Sequence, residues 1–196
     1  TGVDDRIDGR GGDDIIAGLD GHDTLIGGAG MDNLLGGLGD DTYLLKTGDG
    51  LAEVDGDGNP LIETILDDGG EDTIQFAGDV LPASLDLVAD SDNYLTIHYG
   101  SYDVVTIADG LAGAMEHYKV GAGDTARALA YTQFIGEFGS GVYSGTDATG
   151  HLHLTGGKTD DSLYASGGDA IVSGGRGDDA LWVNGANNAI LYSVGD

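Results

Sequence analysis

The sequence predicts an all-β fold: a parallel β-roll, that is a β-helix solenoid, in two blocks around a β-rich middle segment. Three observations predict it. Residues 9–44 read in nines as GRGGDDIIA, GLDGHDTLI, GGAGMDNLL and GGLGDDTYL. In that frame aspartate falls at Asp14, Asp23, Asp32 and Asp41, with an apolar residue two places on at Ile16, Leu25, Leu34 and Tyr43. One period earlier the frame lands on Asp5 and Ile7, and two phrases of the same kind return late in the chain, at Gly156 to Leu163 and Gly174 to Leu181.

Each nonamer supplies a glycine-rich turn of about six residues and a strand of about three. Glycine permits the positive φ that such turns need. Strand side chains alternate between faces, so the apolar residue points inward. Two nonamers complete one coil, and turns on one edge therefore recur every eighteen residues. Asp5, Asp23 and Asp41 line one edge, Asp14 and Asp32 the other. Aspartates stacked about 4.8 Å apart repel each other. A hard divalent cation held by carboxylate and carbonyl oxygens removes that repulsion. The nonapeptide G-G-x-G-x-D-x-U-x is a known calcium-binding β-helix repeat, so the pattern is matched rather than discovered. A flexible glycine–aspartate linker would not place Ile and Leu in register.

Bulk properties agree with a metal-dependent solenoid. The chain has 196 residues, 38 of them glycine and two proline, and carries a formal charge of −28. That charge opposes compaction without a counter-ion and argues against nucleic acid or an anionic membrane as partner. Cysteine is absent, so metal rather than disulfide would staple an extracellular fold. No apolar stretch is long enough to span a bilayer. No signal-like segment opens the sequence, and ILYSVGD ends it in mid-repeat. The expectation is a piece of a larger protein.

After the first block, Gly48-Asp49-Gly50 is one further turn candidate. Asp55 to Asn59 resembles the start of an EF-hand loop, but Pro60 stands where that loop needs glycine and Leu66 where it needs a bidentate glutamate. An acidic loop is the reading there. Gly69 to Ile74 then repeats the turn-and-strand phrase of Gly39 to Tyr43. Strands are expected at Leu85 to Leu87, Tyr94 to Tyr99 and Val104 to Ile107, with a hairpin turn at Gly100 to Asp103. A short adapter helix is expected over 124–136, capped by Asp124. The domain expectation is an N-terminal roll at 1–77, a β-rich cap with that helix at 78–138, and a second, degenerate roll at 139–196.

The nonamers resemble the haemolysin-type calcium-binding (RTX) repeats. The order DTIQF, LPASLDLV, NYLTIHY, YDVVTIADGL and MEHYKVGAGDT resembles the related domain that follows such repeats in that family. The resemblance implies several Ca2+ ions, each between turns eighteen residues apart. Carbonyls at repeat positions two and four join the aspartate of the first turn; those at one and three join the aspartate of the second. One site would then use Thr1, Val3 and Asp5 with Gly18, Asp20 and Asp23. A second would use Arg10, Gly12 and Asp14 with Gly27, Ala29 and Asp32. A third would use Leu19, Gly21 and Asp23 with Gly36, Leu38 and Asp41. Gly28 and Gly30 occupy the same positions in the next turn, with Asp49 as a further ligand. Gly37 and Gly39 precede Asp41, with Asp72 opposite and Asp67 and Gly69 lending carbonyls. In the second block Gly157, Thr159 and Asp161 pair with Gly174, Arg176 and Asp179. On its other edge strict counting puts Ala170 at the aspartate position, and Asp169 serves beside Asn188 if its turn is one residue shorter. Val3, Arg10 and Leu19 depart from glycine at their positions.

No catalytic constellation is visible. There is no cysteine nucleophile and no G-x-S-x-G elbow, and the repeat accounts for the paired carboxylates. His151 and His153 lack a third ligand for a transition metal. Aromatics such as Tyr43, Tyr94, Tyr99, Tyr102, Tyr143, Tyr164, Trp182 and Tyr192 can stack on sugar or pack in a core. The expected function is a non-enzymatic, secreted calcium module that folds after type I export from a Gram-negative bacterium. The alternatives are a polysaccharide-binding or adhesive module and an accessory part of a secreted protease, lipase or epimerase.

Overall fold

Strand and turn alternate along the first 45 residues as the nine-residue period requires. Strands β1 (Arg6–Asp8), β2 (Ile15–Asp20), β3 (Thr24–Ile26), β4 (Asn33–Leu38) and β5 (Thr42–Leu45) fall alternately into two sheets. Pairing is parallel and eighteen residues apart: Ile7 lies opposite Leu25, Ile16 opposite Leu34, and Leu25 opposite Tyr43. The chain thus coils once per two nonamers. The computed structural model describes residues 2–50, 53–54, 60–89, 93–112, 114–121, 126–146, 150–166 and 168–191. Thr1, the acidic loop 55–59, Asp124 and Tyr192 lie outside them.

A short antiparallel pair, β6 (Glu53–Val54) with β7 (Pro60–Leu61), interrupts the coil. The roll then resumes. β8 (Glu63–Leu66) pairs parallel with β4, and β9 (Thr73–Phe76) parallel with β5. Strands β10 (Asp86–Ala89), β11 (Leu95–His98), β12 (Val104–Ile107), β13 (His117–Val120) and β14 (Arg127–Ala130) follow. Of these, β12 and β13 add one more parallel rung to each sheet, on β8 and β9. Antiparallel β11 and β10 then close one sheet, and antiparallel β14 closes the other.

The inward positions stack into two continuous columns. Ile7, Leu25, Tyr43, Ile74 and Tyr118 form one; Ile16, Leu34, Ile65 and Ile107 form the other. All but the half-buried Ile7 belong to the main core. Each fully buried Leu or Ile contributes about 1.5–3 kcal/mol. Toward the closed end the columns widen into aromatic packing: Tyr118 and Phe134 stack with centroids 4.0 Å apart, and Phe76 lies 6.1 Å from Phe134.

The helix differs from the expected 124–136. It is α1 (Tyr131–Phe138), since 127–130 extend and pair with β13, and the Ala130 N–H donates to the Gln133 side chain at 3.1 Å. Edge pairing outweighs local helix preference there. Its Phe134 and Ile135 enter the main core, and Gly136 abuts the backbone of Gly175 in the second block. That block holds β15 (Tyr143–Thr146), β16 (Leu152–Thr155), β17 (Ser162–Ser166), β18 (Ile171–Ser173), β19 (Ala180–Asn184) and β20 (Ala189–Leu191). Parallel pairs β16–β18–β20 and β17–β19 again run eighteen apart, over a smaller core of Leu154, Leu163, Ala165, Ala170 and Val172.

Candidate metal centres in the turns

The turns carry two hydrogen-bond ladders of opposite sense. At position six of the repeat, the Oδ1 of each aspartate accepts the N–H of the residue one coil below. Asp5 donates to Asp23 at 2.7 Å, Asp14 to Asp32 at 2.9 Å, Asp23 to Asp41 at 2.7 Å, and Asp41 to Asp72 at 2.8 Å. Asp72 in turn donates to Glu116 Oε2 at 2.8 Å, and Asp161 to Asp179 at 2.8 Å. At position five the lower side chain accepts from the coil above: His22 N–H to Asp4, Met31 N–H to Asp13, Asp40 N–H to His22 Nδ1, and Asp178 N–H to Asp160. The second ladder escaped the sequence reading, although the acidic residues at position five were its signal.

The position-six ladder leaves one oxygen of most of these carboxylates over, although Asp161 Oδ2 accepts from Gly157 N–H at 2.9 Å. The Oδ2 atoms of Asp14, Asp23, Asp32, Asp41, Asp72 and Asp179 are buried without a hydrogen-bond donor. Buried polar atoms are rarely left so, and six of one kind in register fit a cation that no hydrogen bond replaces. Burial raises the carboxyl pKa of Asp32, Asp41 and Asp161, and pushes Asp72 up to about 7 with help from the charges of Asp67, Glu116 and Asp41. A protein without ions holds these acids against their preference for ionisation.

Glycine at position one is required by those same oxygens. A Cβ on Gly18, Gly27, Gly36 or Gly174 would meet the Oδ2 of Asp23, Asp32, Asp41 or Asp179 respectively. At position two Gly28 and Gly37, with φ of 98° and 110°, lie against the carbonyls of Arg10 and Leu19 one coil below. Arg10 and Leu19 themselves adopt φ of 72° and 84°, a conformation that costs most residues about 1 kcal/mol.

The residues expected around each ion meet in most turns. Ala29 N–H donates to the Arg10 carbonyl at 3.0 Å, and Gly12 N–H to that of Ala29 at 2.8 Å. Gly21 N–H donates to Leu38, Gly39 N–H to Gly69, and Arg176 N–H to Gly157. Gly30 approaches the Gly12 carbonyl, Gly21 that of Val3, and Gly177 that of Thr159. A carbonyl keeps a second lone pair for an ion in each case. Asp20 is exposed and lies opposite Leu38 in the parallel register. At the fourth turn Asp67, expected to lend its carbonyl, brings its side chain: Asp41, Asp67 and Asp72 place carboxylate oxygens within 4.8 Å of one another, and Tyr43 hydroxyl donates to Asp67 Oδ2 at 2.5 Å. Asp49 lies outside the ladder, with its carbonyl accepting from Gly30 N–H at 3.3 Å.

One edge keeps the strict count. Ala170 is buried and donates its N–H to Asn188 Oδ1 at 2.8 Å, so it occupies the aspartate position. Asp169 is exposed at φ 63° and donates its N–H to the Ala186 carbonyl. Its turn is not one residue shorter, and this edge offers a carboxamide and a methyl group where the others offer two carboxylates.

The family profile of the RTX calcium-binding nonapeptide repeat matches residues 8–43 and 153–191, with four copies. The chain carries RTX calcium-binding repeats. The RTX blocks bind several Ca2+ ions, which are the hard cations that the orphaned carboxylate oxygens fit. No curated protein matches the chain. Among the described residues no helix is long and apolar enough to cross a membrane.

Proposed function

We propose that this is a structural calcium module of a larger protein, secreted through a type I system of a Gram-negative bacterium, that folds when it meets extracellular calcium. The observation that carries this reading is the row of buried Oδ2 atoms without donors. The ions would sit between successive turns, bound by the paired aspartates and by the carbonyls at positions one to four. Extracellular calcium modules bind at about 0.1–1 mM, so the cytosol leaves them empty and the −28 charge keeps the chain loose for export. The first roll, 1–77, is capped by 78–138, and the second, 139–196, is joined to it through α1. The module itself is not an enzyme. Circular dichroism tests the reading. In EDTA the β signal should be largely lost, and millimolar calcium should restore it; an unchanged cooperative melt in EDTA contradicts it.

A second reading, a polysaccharide-binding or adhesive surface, rests on one feature. Tyr164 and Trp182 lie opposite each other on β17 and β19, 64% and 54% exposed. Aromatic faces of that kind stack on sugar rings. Affinity electrophoresis against a panel of polysaccharides should show a retardation that Trp182→Ala abolishes, if this surface binds sugar.

A further inference from the structure

The turn that carries Asp72 breaks the nonapeptide pattern at position one. Glycine holds that position at Gly9, Gly18, Gly27, Gly36, Gly156 and Gly174, and Asp67 holds it here. The register fixes the count. Leu35 lies opposite Leu66 and Leu38 opposite Gly69, so Asp67 takes the rung above Gly36. A second departure accompanies the first. At position eight the preceding repeats carry Ile16, Leu25 and Leu34, and the turn below Asp67 is followed by Tyr43.

The two departures meet. Tyr43 is buried in its inner column, and its hydroxyl reaches the turn to donate to Asp67 Oδ2 at 2.5 Å. Asp67 Oδ1 accepts the N–H of Gly69 at 2.9 Å. The side chain is thereby held over Gly36. A Cβ on Gly36 would collide at once with Asp41 Oδ2, Asp67 Oδ2 and the Tyr43 hydroxyl, so these oxygens surround one point. Asp72 completes the group: one carboxylate oxygen from each of Asp41, Asp67 and Asp72 lies within 4.8 Å of the other two. Asp41 and Asp72 are each 1% exposed, and the Oδ2 of both lacks a donor. Their Oδ1 atoms are taken by the ladder, from Asp23 N–H at 2.7 Å and Asp41 N–H at 2.8 Å. Three carboxylates so close, two of them buried, repel one another unless a cation lies among them.

We propose that the Asp67 side chain is itself a ligand of the ion between the turns of Asp41 and Asp72, and that this three-carboxylate centre is the tight calcium site of the first roll. The proposal rests on the calcium reading of the turns, in which two aspartates serve each of the other ions. Calcium affinity is tuned by the number of charged ligands and the rigidity of the site. Asp67 adds a third charge. The hydrogen bonds from Tyr43 and Gly69 fix its carboxylate before an ion arrives, and each of its oxygens keeps a lone pair for the metal. Tyr43 is the positioning residue, which accounts for a hydroxyl at the tip of an otherwise apolar column. The centre fills first as calcium rises.

The test uses the whole chain. Calcium titration against a competing chelator should resolve one site about tenfold or more tighter than the rest. Asp67→Asn should abolish the tight class and keep the number of ions. Tyr43→Phe should weaken the tight site alone; equal weakening of every site would refute its positioning role. A tight site that survives Asp67→Asn, or a single class of equal sites in the unmutated chain, overturns the proposal. If the variants do not fold, a crystal structure of the unmutated chain with calcium decides. An Asp67 carboxylate oxygen about 2.3–2.6 Å from the ion supports the proposal. An ion held by Asp41 and Asp72 with the Asp67 carboxylate out of reach overturns it and leaves the calcium reading intact; no ion at any repeat aspartate overturns both.

Discussion

Asp23 sits at the centre of its edge, and replacing it separates the two-nonamer coil from any simpler stacking. Its carboxylate is 1% exposed. Oδ1 accepts from Asp5 N–H, its own N–H donates to Asp41 Oδ1, both at 2.7 Å, and Oδ2 has no donor. If each ion lies between turns eighteen apart, Asp23 serves two, one shared with Asp5 and one with Asp41. Asp23→Ala then removes one charge-assisted hydrogen bond and one carboxylate ligand from each of two ions. At about 1.5–3 kcal/mol for each such loss, the calcium-loaded fold is weakened by roughly 4.5–9 kcal/mol, a large part of a domain's usual stability of about 5–15 kcal/mol. Calcium titration calorimetry should show about two ions fewer, and thermal unfolding in millimolar calcium should shift accordingly. Asp5→Ala should cost at most one ion. Asp20→Ala makes the same change in net charge at an exposed side chain, keeps the backbone carbonyl, and should cost none. Equal losses from Asp23→Ala and Asp5→Ala, or loss of the Asp14–Asp32 ion in a variant whose roll still closes, would refute the coil.

Other outcomes follow from the same geometry. Gly37→Ala puts a methyl against the Leu19 carbonyl at φ 110°, and should cost more than about 1 kcal/mol and weaken calcium binding in titration calorimetry. Asp179→Ala should remove one ion from the second block, while Asn188→Ala should remove none, because Ala170 already stands opposite it. Burial raises the carboxyls of Asp72 and Glu63 from 3.8 and 4.5 to about 7 and 8. Raised folded-state values mean that the calcium-free fold is favoured below about pH 4 and loses that contribution as pH rises through about 7 to 8. At Asp72, which lies with Asp41 and Asp67, calcium competes with the same proton, so its affinity there should climb as pH rises toward about 7, as titrations at stepped pH will record. Magnesium should substitute poorly in calorimetry, since it keeps its waters and demands tight octahedral geometry.

The periodic parts of the fold were legible because their signal is local. The register Asp14, Asp23, Asp32, Asp41 sets the turns, and Ile16, Leu25, Leu34 and Tyr43 set the inner columns, each within one nonamer. What escaped depends on contacts between distant segments. Nothing in the local pattern gives the length of the insertion after β5, so Glu63 could not be aligned with Asp32. Arg127 to Ala130 carry no strand signal and extend because β13 offers an edge. His22 in the position-five ladder reads locally as an interruption, yet its Nδ1 accepts from Asp40 N–H at 2.8 Å as a carboxylate would. The side chain of Asp67 joins Asp41 and Asp72 only once the roll is closed.

On this reading calcium, rather than the apolar columns alone, holds the coils closed. Hydrogen–deuterium exchange of the whole chain in EDTA and in millimolar calcium tests it most directly. The amides of Asp5, Asp14, Asp23 and Asp41, each donating to an aspartate one rung above, report on the turns themselves. Exchange at these positions should be rapid in EDTA and strongly retarded in calcium. Equal protection in both would contradict it.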